Sequence, residues 1–172
     1  MEQVTVTGVQ GVPGKKEGFR GVGHKVVAPF SELGTKIREA KDDVLKQVKA
    51  NSKMESQPLL YCISPPEKIS SMEDDHTVYV LVKEESFGEQ KPPESFIQLD
   101  VPTQSCLHFH YEGSMNDIMS FYQELFSRIS GDGDIPFDQE GYRIEEYGEN
   151  HKWDDKETED NELEIFFPVQ AS

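Results

Sequence analysis

Two stretches of the chain carry apolar residues at helical spacing, and several shorter ones alternate. Leu33, Ile37, Ala40, Val44 and Val48 recur at three- and four-residue steps, which puts them on one stripe of a helix. Ser31 stands where a cap belongs, so a helix is predicted near residues 31–50. A second stripe, Ile118, Phe121, Tyr122, Leu125 and Ile129, follows Ser114 and Asp117 at capping-box spacing and stops at Gly131. It predicts a helix near 114–130. Both stripes read as core-facing rather than partner-binding. Strand patterns lie around them: FRGVGHKVV (19–27), LLYCIS (59–64), HTVYVLVKE (76–84), a stretch broken by Pro102 (96–111), YRIEEY (142–147) and LEIFFPV (163–169).

The order is strand, helix, strand, strand, and it occurs twice. This predicts an α+β fold: two pseudo-symmetric strand-helix-strand-strand repeats build a mostly antiparallel sheet, with two helices on one face and a ligand groove between the halves. The expectation is one domain over 1–172, with repeat 1 at about 19–85, repeat 2 at about 96–170, and an N-terminal extension at 1–18. That extension holds a short alternating strand candidate and a loop with glycines and lysines.

The stretch NELEIFFPV (161–169) sharpens the question of the groove. On a strand, Leu163, Ile165 and Phe167 share one face while Glu162, Glu164 and Phe166 share the other. Half-buried sheets commonly turn such carboxylates to water. The alternative is a surface that sets negative charge beside aromatic rings. Polar-aromatic strand residues available to that surface are Tyr61, Tyr79, His108, His110, Tyr142, Tyr147 and Phe166, with Trp153 in a loop as a lid.

Charge narrows the partners. The formal net charge of −16 repels phosphate backbones, so no direct nucleic-acid binding is expected. Residues 1–53 nevertheless hold ten bases against six acids, whereas residues 138–164 hold twelve acids against three bases, a segment suited to cations. No apolar run has the length of a membrane span and no signal layout opens the chain, which gives a cytoplasmic expectation and no membrane partner. Cys62 and Cys106 sit in apolar strand segments without paired spacing and read as reduced core thiols. His108 and His110 flank Phe109 as alternate strand residues. Zinc sites need at least three protein ligands, so the pair reads as a polar strand face; no metal and no cofactor are expected.

HFHYEGSMNDIMSFYQELF, the strands LLYCIS and HTVYVLV, and the ending YRIEEYG then ELEIFFPVQ together resemble the GyrI-like small-molecule-binding family of bacteria. The resemblance spans about residues 19–170. That family includes effector-binding domains of AraC-type and MerR-type multidrug transcription regulators, and free-standing proteins. It implies an aromatic cavity with a buried glutamate facing lipophilic, often cationic aromatic compounds, and the position matching that glutamate is Glu164. No helix-turn-helix segment accompanies the domain here, so a free-standing member is expected.

Three functions stay open. The first is a binding protein for lipophilic cationic or aromatic small molecules. The second is a hydrolase of strained cyclopropane-bearing toxic compounds on the same scaffold, with Glu164 as base and Tyr142 or Tyr147 as hydroxyl donor. The third is an inhibitor-type protein acting on gyrase or a regulator. No nucleophile elbow, phosphate loop or three-ligand metal spacing is present in the sequence, so the binding protein is preferred and no catalytic residue is assigned.

Overall fold

The structure is a computed structural model, and it describes residues 1–51, 57–67, 73–129 and 133–171. Its strands are β1 (Val4–Val6), β2 (Val9–Lys16), β3 (Phe19–Pro29), β4 (Leu60–Ser64), β5 (Asp75–Lys83), β6 (Ile97–Val101), β7 (Gln104–Glu112), β8 (Arg143–Tyr147) and β9 (Glu162–Pro168). Two helices, α1 (Phe30–Asn51) and α2 (Ile118–Ser127), complete the α+β fold. The strands form one nine-stranded sheet in the order β1-β2-β7-β9-β8-β4-β5-β3-β6, and all of these pairings are antiparallel.

The repeated grammar becomes symmetry in space. Units β3-α1-β4-β5 and β7-α2-β8-β9 meet where β4 pairs with β8, with Cys62 opposite Glu145 at the centre of the seam. Residues 1–18 add β1 and β2 beside β7, two strands where the pattern suggested one.

Both helices cover one face. Ala40, Val44 and Val48 of α1 are buried there over β3 and β5, and Phe121 and Leu125 of α2 are buried in the same apolar cluster as Leu107, Phe109, Leu163, Ile165 and Phe167. Leu33 and Ile37, on the same α1 stripe, are only half-buried. Helix α2 begins with its stripe at Ile118, about a turn later than the predicted start at 114, because Ser114 is used in the turn before it. Its Oγ accepts the Asp117 N–H at 3.2 Å and its carbonyl accepts the Tyr111 hydroxyl at 2.8 Å. The expected stop, Gly131, lies outside the described residues.

Two short connections bend the sheet. β2 and β3 stand six positions apart in the strand order, yet only Glu17 and Gly18 join them; β6 and β7, also six apart, are joined only by Pro102 and Thr103. In a flat sheet six steps of about 4.8 Å would separate the strands by roughly 29 Å. Three peptide links span at most about 11 Å. The sheet must therefore roll toward its helix-free side, and the two connections meet on that side. They touch: the Gly18 N–H donates to Thr103 Oγ1 at 2.9 Å, and a Cβ on Gly18 would fall 2.4 Å from the Val101 carbonyl oxygen. Inside the roll a second apolar cluster forms around Tyr61, Ile63, Leu81, Ile144 and Phe166.

Candidate ligand-binding site

Register brings the polar residues of the concave face into rows. One row crosses four strands, Tyr61 opposite Glu146, Glu146 opposite Glu164, and Glu164 opposite His110. The next row runs Ile63, Ile144, Phe166 and His108. Charge and aromatic surface are thus set side by side on rigid strands rather than on loops.

Two glutamates directly opposite each other repel. The structure answers with donors on both sides. Glu164, half-buried, lies 2.6 Å from His108 Nε2 through one oxygen and 2.6 Å from His110 Nδ1 through the other. Burial would raise its pKa, but the hydrogen bonds to His110 and His108 outweigh that and hold the carboxyl below its ordinary range. His110 is raised above its ordinary value, first by its bond to Glu164 and further by the charges of Glu164, Glu162 and Glu112, against a lowering by burial. Glu146 accepts the Tyr61 hydroxyl at 2.8 Å, and the same oxygen lies 3.5 Å from Lys16 Nζ. Burial, then Glu146, pushes the Tyr61 hydroxyl well up, so it stays a donor.

Rings complete the surface. His108 stacks on Phe166 with centres 4.4 Å apart, and Phe19 leans on Tyr61 at 4.6 Å. Tyr79 and Tyr142 pack against the same concave cluster, Tyr142 with its backbone clasped by the Gln104 side chain. Beside these groups lies a cavity of about 160 Å³, with Leu59, His110, Glu146, Glu162 and Glu164 in its walls. His110, Glu112 and Glu162 also bring ligand atoms within 4.8 Å of one another, a trio that could hold an ion and that the histidine pair alone did not reveal.

Seven of the nine expected residues therefore share the concave side: Tyr61, Tyr79, His108, His110, Tyr142, Glu164 and Phe166. Tyr147 and Trp153 do not join them. Tyr147 is buried on the helix side, with His151 and Trp153 rings 4.6 and 4.7 Å away. Trp153 packs toward α1, where Lys41 Nζ sits 5.1 Å over its ring and Arg38 donates to its carbonyl at 3.0 Å. For Tyr147 the physical reason is parity: residues 142, 144 and 146 face one way and 143, 145 and 147 the other. The same parity brings in Glu146, which sequence reasoning passed over. Glu164 is half-buried rather than buried, since it lines that cavity.

The GyrI-like small molecule binding domain matches residues 15–170, and the chain belongs to that family. Similar solved structures include the EcmrR C-terminal domain (15% identity, 95% of this chain and 99% of that one, TM-score 0.64) and SAV2435 bound to tetraphenylphosphonium (12%, 94% and 94%, 0.59). An integron cassette protein of Vibrio cholerae is another (13%, 96% and 98%, 0.60). Identities this low establish the shared fold. No curated protein matches the sequence. Among the described residues, no helix is long and apolar enough to cross a membrane.

Proposed function

We propose that the concave face binds lipophilic, cationic aromatic compounds, with Glu164 and Glu146 as counter-charges and Phe166, Tyr61, Tyr79 and Tyr142 as apolar walls. The observation that carries this reading is the cross-strand pair of glutamates flanked by a row of rings. A flat hydrophobic cation loses little hydration on entry, gains about 0.5 to 2 kcal/mol per ring face, and meets carboxylates aligned in advance. SAV2435, a structure of similar fold, is bound to tetraphenylphosphonium, which supports the ligand class.

Calorimetric titration with tetraphenylphosphonium and with neutral triphenylphosphine oxide tests it. Glu164→Gln keeps shape and removes charge, so cation affinity should fall by roughly 1 to 3 kcal/mol while the neutral ligand loses little. Equal losses for both ligands would remove the counter-charge role.

One observation favours a second reading. Tyr61 and Glu146 form a hydrogen-bonded hydroxyl-carboxylate pair on the concave side, the arrangement a hydrolase of strained carbonyl compounds would use. This differs from the expected pairing of Glu164 with Tyr142 or Tyr147; Tyr147 faces Glu145 on the other side of the sheet. Turnover of a cyclopropane-bearing substrate that disappears in Tyr61→Phe, with cation binding intact, would move the assignment to an enzyme.

A further inference from the structure

The concave face holds a positive charge of its own. Lys16 ends β2, and its side chain lies along the concave surface. Its Nζ lies 4.6 Å from the ring centre of Phe166, 5.7 Å from that of Tyr61 and 5.9 Å from that of Phe19. Glu146 Oε2 is 3.5 Å away, and only 16% of the lysine side chain is exposed. Lysines ordinarily keep the ammonium in water even when the stem is covered. Here three ring faces and a carboxylate replace that water, and these are the features that would recognise any organic cation.

We propose that Lys16 is the specificity-determining residue of the concave site: its ammonium is a resident competitor for the position of a ligand's positive charge, and a lipophilic cation enters by displacing it. The proposal rests on the small-molecule reading above. Because the cage is occupied from within, the apparent affinity for a cation is lowered by the fraction of molecules in which Lys16 is seated. Displacement also has an electrostatic side. While seated, Lys16 offsets Glu146, leaving Glu164 with its two histidines; once it leaves, both carboxylates face the newcomer. The site should therefore select for cations large enough to cover several rings at once, since a small ammonium only exchanges one cage contact for an equal one.

Lys16→Met keeps most of the stem and deletes the charge, while Lys16→Arg keeps the charge and adds a planar group that stacks on rings. The full-length protein and both variants are titrated with tetraphenylphosphonium and triphenylphosphine oxide. Tetraphenylphosphonium should bind Lys16→Met about tenfold tighter and Lys16→Arg no tighter than wild type, while the neutral ligand changes by less than about threefold. Proton NMR of the lysine ε-methylenes supplies the second measurement: ring currents should shift Lys16 upfield of the other lysines, and saturation with the cation should return it. Wild type that binds the cation with Lys16 signals unmoved, or a Met variant that gains equally for both ligands, overturns the competitor role and leaves the site standing. No saturation of any of the three proteins overturns the site and the proposal together.

Discussion

Glu145 and Glu146 are neighbours in the chain and belong to two different environments. Glu145 points under α2, where the Tyr122 hydroxyl donates to it at 2.5 Å, and Tyr147 donates as well. No cation is paired with it by a salt bridge among the described residues, and burial raises its pKa against the lowering by those hydroxyls and by Arg143. Glu146 points into the roll, beside a lysine, a tyrosine and a second glutamate. One face of the sheet encloses a carboxylate among hydroxyls. The other sets carboxylates beside a lysine and two histidines. A carboxylate that is to meet a ligand cation belongs on the second kind of face.

The largest effect should separate the faces by stability. Phe121 is fully buried between α2 and the sheet, so Phe121→Ala should lower the unfolding free energy by about 3 to 5 kcal/mol in urea titrations. Phe166→Ala, on the concave side, should cost less stability and more cation affinity. An equal stability loss at both positions would erase the distinction.

The next contrast uses charge. Glu145→Gln should leave tetraphenylphosphonium affinity unchanged, against the loss expected for Glu164→Gln. Its signature is in stability against pH. Because the folded pKa of Glu145 is raised, the folded state holds a proton that the unfolded state releases, and stability falls as pH climbs above about 4.5. The glutamine variant should lack that decline, so it gains on wild type as pH rises above about 4.5.

On the concave face pH acts on binding. The raised pKa of His110 means its contribution to stability is complete below about 6.5 and is lost as pH rises through the folded value; the lowered Glu164 contributes above about 4.5 and is lost on acidification. Deprotonating His110 removes a cation from beside Glu164, so tetraphenylphosphonium should bind several-fold tighter at pH 8.5 than at pH 6, with proton release visible as a buffer-dependent enthalpy. The smallest effect is expected at Glu162, one pleat nearer the rim and 3.7 Å from His110: Glu162→Gln should change cation affinity by about twofold or less.

The helices and most strands were legible because each carries one period of apolar residues. Both faces of β9 could be assigned from NELEIFFPV alone, since Leu163, Ile165 and Phe167 are buried under the helices and Glu164 and Phe166 look into the roll. Tyr142 and Tyr147 could also have been sorted, as an odd separation on one strand puts them on opposite faces. Lys16 and Phe19 were not legible. Their place in the site depends on the rolling of the sheet, which follows from strand order and two connections and leaves no mark in local periodicity.

Those connections also set an order of assembly. Strands β3 to β6 form a contiguous run of chain, whereas β1 and β2 are synthesised first and can only add to β7, which emerges much later; Gly18 and Thr103, which meet at the crossing, are 85 positions apart. During synthesis the β1-β2 hairpin has no sheet to join until the second unit appears, so Lys16 meets Phe166 among the last events of folding.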